Sequence, residues 1–191
     1  EPLAIAADGA GWRLTGVITN VTEAGALRYR LAKLTPKDRI RAWIPHVVLN
    51  MLASSPAPVT TVVADDRVVR FDALADAASI LERLVQGYVA GLVSPPPLLE
   101  QSSFAYADSI ARSTQGPEAA RGKALDDARS AFSGVPARKI RGDVDDASVR
   151  IVFRDDPLLE GDTEPFERTA LDLWGPLLQA TQKVSRKDLL A

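Results

Sequence analysis

The chain has 191 residues, of which 46% are hydrophobic and 25% are charged, and its formal net charge is −2. This composition is typical of one soluble globular domain, and no apolar run reaches the roughly 20 residues that span a bilayer. The absence of cysteine excludes disulfides and thiolate metal sites, and the single histidine excludes any site built on two imidazoles.

The first sixty residues are predicted to form two strands and a helix. Residues 12–21 are rich in β-branched side chains, and residues 27–31 alternate apolar with polar side chains after a short turn. We therefore expect these two segments to form a β-hairpin. A helix should follow, with Pro36 at its first position, and Pro45 inside it predicts a kink or a restart.

A second pair of strands and a long helix come next. Residues 59–63 and 68–71 are β-branched runs separated by an Asp-Asp turn. Asp72 is the expected cap of the helix that follows, and the proline run that begins at Pro95 should end it.

The same prolines begin a more polar half of the chain. We expect residues 1–94 to form a core with hairpins and two main helices. Residues 95–191 should form the remainder of the same domain, and the alternative is that they form a subdomain. In that remainder the patterns predict helices over 104–111, 117–132 and 163–179, a bend or end at Gly175-Pro176, and a short strand over 149–153.

Two kinds of residue could serve metal or acid–base chemistry. His46 lies on the amphipathic first helix, where a partly exposed structural residue is the favoured interpretation and a general base or metal ligand the alternative. Acidic doublets begin at residues 65, 126, 145 and 155, and we interpret them as solvated turns and helix faces. Residues 142–146 lack the glycine and the terminal glutamate of a calcium loop.

One basic run could hold phosphates. Arg138-Lys139-Ile140-Arg141 lies in a polar loop between the helix predicted over 117–132 and the strand predicted over 149–153, and its cations could neutralise a nucleic-acid backbone. The alternative is local pairing with the aspartates of residues 143–146. Because the whole chain is slightly acidic, any DNA contact should share its electrostatic attraction with a partner protein.

Residues 16–21, Gly-Val-Ile-Thr-Asn-Val, followed by a strand and an amphipathic helix, resemble the nuclease-like domains of the bacterial RecB and AddB families. In those families one strand carries an acidic residue after a Gly-x-Ile-like tripeptide, and the next strand carries (Asp/Glu)-x-Lys. Such residues hold Mg²⁺ and orient the attacking water in phosphodiester hydrolysis. The resemblance implies an α/β fold of the restriction-endonuclease (PD-(D/E)XK) type, a small mixed sheet flanked by helices.

The chain departs from that pattern at the metal site. Thr19 stands where the first acid of the family would stand. On the following strand Lys33 is preceded by Leu31, and Arg30 is preceded by Arg28, so neither register supplies an acid. Because the added arginines would repel a divalent cation, we expect a nuclease-like scaffold with no catalytic residues, no metal and no cofactor.

Four further segments are similar to the C-terminal domain of the RecC family, an inactive copy of this fold. They are residues 84–92, 128–132, 141–146 and 174–178, and with the first strands they span about residues 12–180 in the family's order. The resemblance implies a non-catalytic RecC domain of the RecBCD helicase–nuclease, exodeoxyribonuclease V, which acts in double-strand break repair. It implies RecB and RecD as partners, DNA in the context of the complex, and a chain that is a fragment of a longer polypeptide.

We expect this domain to support assembly with RecD and RecB and to guide separated DNA strands. The expected phosphate contacts are Arg28, Arg30, Arg138, Lys139 and Arg141. A chain that starts without methionine or a signal peptide is expected to be cytoplasmic. Two alternatives stay open: an active metal-dependent nuclease that uses acids such as Asp65 or Asp72, and a protein-interaction domain unrelated to DNA.

Overall fold

The structure, a computed structural model, describes residues 2–22, 25–52, 58–138, 140–153 and 162–184. The chain divides into two units. The first takes in residues 1–86 and 180–191, and the second takes in residues 87–179. The predicted division into a core over residues 1–94 and a remainder of the same domain over residues 95–191 stays a prediction.

The first unit is built on β-strands. A two-stranded ribbon pairs β1 (Leu3–Gly9) with β2 (Trp12–Ile18), and a five-stranded sheet has the order β3 (Val21–Thr22), β4 (Gly25–Tyr29), β5 (Val59–Val63), β6 (Val68–Phe71), β7 (Thr181–Val184). β4 and β5 are parallel and the other neighbours are antiparallel. The unit also holds α1 (Pro36–Leu52) and the first part of α2 (Ala77–Val93). This small mixed sheet flanked by helices confirms the predicted α/β class, while the restriction-endonuclease assignment stays a prediction.

The predicted hairpin of residues 12–21 with residues 27–31 is wrong. β2 pairs with β1 instead, in an antiparallel register that runs from Leu3 opposite Ile18 to Gly9 opposite Trp12. Asn20 explains the difference, because its φ of 58° lies in the left-handed region and turns the chain between β2 and β3. Asparagine adopts this conformation at a lower cost than most other residues. The two residues of β3 then pair with the first two residues of β4.

The ribbon is attached to the rest of the first unit through Trp12. The indole N–H of Trp12 in β2 donates a hydrogen bond to the Glu82 carboxylate of α2, with 2.8 Å between the nitrogen and the oxygen. Ala7 and Ile18 are buried, which leaves the other face of the ribbon to solvent. β2 therefore pairs with β1 and bonds to α2 in place of pairing with β4.

Helix α1 connects the parallel strands β4 and β5. It begins at Pro36 as predicted, and a reciprocal pair of hydrogen bonds caps it: the Asp38 carboxylate accepts from the Thr35 N–H at 3.0 Å, and the Thr35 hydroxyl accepts from the Asp38 N–H at 3.3 Å. Trp43 of α1 and Phe71 of β6 are buried edge to face, with ring centroids 5.4 Å apart. The helix thus buries its apolar stripe against one face of the sheet.

Strands β5 and β6 have the predicted bounds, but α2 begins at Ala77 rather than at Asp72. The backbone of Asp72 is engaged elsewhere. Its N–H donates to the Ala180 carbonyl at 2.9 Å, and its carbonyl accepts from the His46 ring at 3.0 Å. The helix ends at Val93, before the proline run, as predicted.

The second unit is helical, with α3 (Glu100–Arg112), α4 (Pro117–Ser133), α5 (Ala147–Val152) and α6, which begins at Glu164 and ends at Ala180. The three long helices confirm those predicted for this half of the chain. Their shared core consists of eight buried side chains: Leu99, Tyr106, Ala124, Leu125, Ala128, Phe132, Phe166 and Ala170.

The short strand predicted over residues 149–153 is wrong, because this segment lies in and directly after the helix α5. The Asp146 carboxylate accepts a hydrogen bond from the Ser148 N–H at 2.7 Å and caps the helix. This cap and the contacts of Val149 and Phe153 with the helical core override the β propensity of the segment.

Prolines inside helices do not end them in this chain. α1 continues past Pro45 to Leu52, so the helix does not restart at Pro45. α6 continues past Pro176 to Ala180, so the helix does not end at Gly175-Pro176. None of the helices in the described part of the chain is long and apolar enough to cross a membrane.

A carboxylate on α6 ties three helices of the second unit together. Glu167 accepts hydrogen bonds at 2.7 and 2.6 Å from the Arg121 guanidinium, at 2.6 Å from the Thr163 hydroxyl and at 2.7 Å from the Tyr106 hydroxyl. Burial would raise the pKa of Glu167, but these hydrogen bonds outweigh burial and hold the pKa at about 2. The carboxylate is therefore ionised and bonded at neutral pH.

Replacing Glu167 with glutamine is expected to lower the free energy of unfolding by about 1–3 kcal/mol, because the buried carboxylate loses its charge-assisted hydrogen bonds with Arg121. Urea unfolding at pH 7 measures the difference. Glu164→Gln, at an exposed position in the first turn of the same helix, is the control and should change stability by less than about 0.5 kcal/mol. Equal stabilities of the two variants would show that the Glu167 network contributes nothing.

Candidate functional site

The position predicted for the lost metal ligand lies beside β4. Thr19 follows β2, and its hydroxyl oxygen accepts a hydrogen bond from the Arg28 guanidinium, with 3.2 Å between oxygen and nitrogen. The structure therefore brings together two of the residues that the sequence singled out. A threonine hydroxyl bonded to a cation is not a ligand set for Mg²⁺, which prefers carboxylate oxygens.

Arg30, two residues further along the chain, reaches the N-terminus of α1. Its guanidinium bonds to the Asp38 carboxylate at 2.6 Å, and the same carboxylate accepts from the backbone and the hydroxyl of Thr35. Burial would raise the pKa of Asp38, but the hydrogen bonds from Thr35 and Arg30 outweigh it and lower that pKa. Asp38 is absent from the predicted site residues, although the Thr-x-x-Asp spacing of residues 35–38 is the signature of a capping box.

Arg28 of β4 and Arg30, directly after the end of β4, lie on the same face, because side chains alternate along extended backbone and the Arg30 N–H still donates to Val63 of β5. Their Nε atoms are buried and have no hydrogen-bond partner. Arg30 nevertheless keeps 39% of its side chain exposed. The two residues thus form a basic row beside α1 that is only partly neutralised by Asp38.

The second predicted basic group lies in the other unit. Lys139 falls outside the described residues, and the backbone of Arg138 ends a short 3-10 turn that begins at Pro136. Arg141 is exposed, and its carbonyl accepts from the Gln101 side chain at 3.2 Å. The 138–141 run therefore belongs to the second unit, and Arg28 and Arg30 belong to the first.

The acidic residues have other partners. Asp66, in the turn between β5 and β6, accepts from the Leu34 N–H at 2.8 Å and pairs with Arg67 at 2.7 Å. Asp72 lies 3.4 Å from the Arg70 guanidinium. Within the described ranges, no group of three or more histidine, aspartate and glutamate side chains could hold a metal ion. Asp155-Asp156 lies outside those ranges.

Asp143, in the segment compared with a calcium loop, caps α3 from a distance. Its carboxylate is buried and accepts hydrogen bonds from the N–H groups of Gln101 and Ser102, and from the Ser102 hydroxyl at 2.6 Å. The N-terminus of a helix stabilises such a negative charge. A structural role thus accounts for this aspartate.

His46 is fully buried, whereas the sequence analysis expected partial exposure. Its Nε2 donates to the Asp72 carbonyl at 3.0 Å, and its Nδ1 lies 2.9 Å from the Thr60 hydroxyl, which donates to it in the neutral ring. Burial lowers the pKa of His46 to about 4, although the hydrogen bond to Asp72 opposes the shift. Because both nitrogens have partners inside the fold, the imidazole connects α1 to β5 and to the end of β6.

Comparison with known families relates the chain to one of them by sequence. Residues 1–111, more than half of the chain, match the RecC C-terminal domain. The chain belongs to the RecC C-terminal domain family. No curated protein matches the chain. RecC is a subunit of the RecBCD complex of DNA repair, which agrees with the family resemblance seen in the sequence.

The RecC match covers only part of the candidate residues. Thr19, Arg28, Arg30 and His46 lie within the matched residues. The basic run 138–141 lies beyond them. The family relationship therefore bears directly on the β4 arginines and says nothing of the second basic group.

Protonation of His46 should make this RecC domain acid-sensitive. Its pKa is lower in the folded chain, at about 4, than the ordinary 6.5, so the unfolded chain binds the proton more tightly. The stabilisation is present above pH 6.5 and is lost as pH falls towards 4. Urea unfolding should show a loss of about 2 kcal/mol between pH 7 and pH 5.

The control is His46→Gln, which cannot titrate. This variant should be less stable at pH 7, because it disturbs the bonds to Asp72 and Thr60, and its stability should change little between pH 7 and pH 5. An equally steep pH dependence in both proteins would show that His46 is not the acid-sensitive group.

Proposed function

We propose that this chain is a non-catalytic domain of RecC that supports assembly with RecD and RecB and guides DNA strands during double-strand break repair. The match of residues 1–111 to the RecC C-terminal domain carries the proposal. In this function the domain acts by its shape and its surface, while other subunits supply ATP hydrolysis and cleavage. Such a role belongs to the bacterial cytoplasm.

The contacts of Thr19 support the non-catalytic part of this proposal. Metal-assisted hydrolysis of a phosphodiester needs anionic oxygen ligands at the metal. Thr19 supplies a neutral hydroxyl, and the Arg28 cation lies 3.2 Å from it. A magnesium ion at this position would meet a positive charge in place of a carboxylate, which is unfavourable.

The DNA contacts are the finer part of the proposal. Arg28, Arg30, Arg138, Lys139 and Arg141 could each bind a phosphate, because guanidinium and ammonium groups form charge-assisted hydrogen bonds with phosphate oxygens. The β4 arginines already have partners in Asp38 and Thr19. We therefore give the 138–141 run the larger share of any phosphate binding.

Association with the partner subunits tests the assembly function. The purified chain, mixed with RecB, with RecD or with both, should co-elute with at least one of them in size-exclusion chromatography. The same preparation should leave plasmid DNA intact in Mn²⁺. Failure to bind either subunit would overturn the assembly function, and metal-dependent cutting would overturn the non-catalytic assignment in favour of the active nuclease.

The DNA contacts are tested in the assembled complex. Changing Arg138, Lys139 and Arg141 together to glutamine should weaken DNA binding, and the slope of log K against log salt should fall by about 0.9 for each lost phosphate contact. Arg150→Gln, an exposed arginine on α5, is the control and should leave the slope unchanged. An unchanged slope in the triple variant would exclude this run from the DNA path.

A further inference from the structure

β4 has an open edge. β3 pairs only with Gly25 and Ala26 of β4, and in the described part of the chain no other strand pairs with β4 on that side. The Leu27 N–H still donates to the Asn20 carbonyl at 3.0 Å, and the Arg30 N–H donates to Val63 of β5 on the opposite side. Because successive N–H groups of a strand alternate in direction, the N–H of Tyr29 points to the open side. A partner strand that continued this alternation past the end of β4 would meet the N–H of Leu31 next.

The open edge carries a row of exposed apolar side chains on one face. Leu27, Tyr29 and Leu31 alternate along residues 27–31, and they are 45%, 72% and 97% exposed. We name residues 27–31, the second half of β4 and the two residues after it, the β4 edge. Edge strands of monomeric proteins are normally blunted by charges, proline or bulges on the exposed row, and this row has none of these. An edge of this kind is suited to accept another strand.

The other face of the β4 edge is basic. Arg28 and Arg30 alternate with the apolar row and lie on the side of α1. Residues 25–37 contain four basic residues and no acidic residue. Asp38 neutralises part of this charge through its ion pair with Arg30. A strand added here would place every second side chain beside arginines.

We propose that the β4 edge of this RecC domain binds an extended segment of a partner protein in which acidic residues alternate with apolar residues. The acidic side chains lie beside Arg28 and Arg30, and the apolar side chains lie beside Leu27, Tyr29 and Leu31. Main-chain hydrogen bonds to Tyr29 and Leu31 complete the ladder. This inference rests on the proposed assembly function and names the surface that would serve it.

Charge and shape favour a protein segment over the other occupants. A second copy of the chain, paired antiparallel along the same edge, would set arginines against arginines on one face, and like charges directly opposite each other are destabilising. DNA could neutralise the arginines, but its phosphates would leave Leu27 and Leu31 in water and the backbone donors of the edge without a ladder.

Hydrogen exchange and two variants test the proposal in complexes with RecB or RecD. Partner binding should protect the amides of Tyr29 and Leu31 from exchange. Tyr29→Ser should weaken binding about tenfold, since a central aromatic contact is lost. Tyr88→Ser on α2, where the tyrosine is 68% exposed, is the matched control and should bind as the unaltered chain does.

The outcomes separate this inference from the assembly function. If the chain binds a partner while the Tyr29 variant binds equally well, or the two amides stay unprotected, the β4 edge proposal is wrong and the assembly function stands. If the chain binds neither partner, the assembly function is wrong and the proposal that rests on it falls as well.

A second arm needs no partner subunit. A labelled ten-residue peptide that alternates glutamate with valine should bind the chain, and the same peptide with N-methyl groups on alternate residues should bind at least about tenfold more weakly, because it cannot complete the ladder. Equal binding of both peptides would overturn strand addition. Protection of the β4 edge by a single-stranded oligonucleotide, but not by the peptide, would assign the edge to DNA.

Discussion

The left-handed backbone of Asn20 limits how far the five-stranded sheet extends, because an antiparallel ladder does not continue in register through such a residue. Without this turn, β2 could extend β3 along the whole of β4. With it, β2 pairs with β1, and Trp12 bonds to Glu82 on α2. β4 is paired along its whole length with β5, and among the described residues its other side is paired only at Gly25 and Ala26.

The same turn places Thr19, the predicted position of a lost metal ligand, beside Arg28. A hydrolytic site of this type needs carboxylates that converge between two strands. Here the Thr19 hydroxyl lies beside the Arg28 guanidinium. The carboxylate that Arg30 contacts is that of Asp38, which caps α1. The ion pair between Arg30 and Asp38 thus connects the end of β4 to the start of α1.

Local patterns predicted most of the elements because each had a physical signal of its own. Pro36 fixed the start of α1, the proline run after Val93 fixed the end of α2, and β-branched runs gave β5 and β6 with their bounds. The hairpin error depended on the backbone of Asn20, and the strand error at residues 149–153 depended on the cap by Asp146 and on core contacts. The error at Asp72 depended on contacts distant in sequence. Asp72 failed as a cap because its backbone bonds to Ala180 and His46.

The candidate site was predictable only in part. The missing acid at Thr19 and the basic row at Arg28 and Arg30 are visible in the sequence, because alternation along a strand sets which side chains share a face. The open side of β4 is not visible, because the sequence pattern of residues 12–21 continues smoothly through Asn20 as one strand. Strand pairing is a non-local property, and a single backbone conformation changed it here.

Strand pairing at Asn20 can be measured directly by NMR on the isotope-labelled chain. The structure predicts cross-strand nuclear Overhauser effects between β1 and β2, such as those that join Ala6 to Thr15, and none that join Ile18 to Tyr29. Strong effects between Ile18 and Tyr29 or between Val17 and Arg30 would show that β2 continues along β4. That result would close the β4 edge and contradict the role given to Asn20.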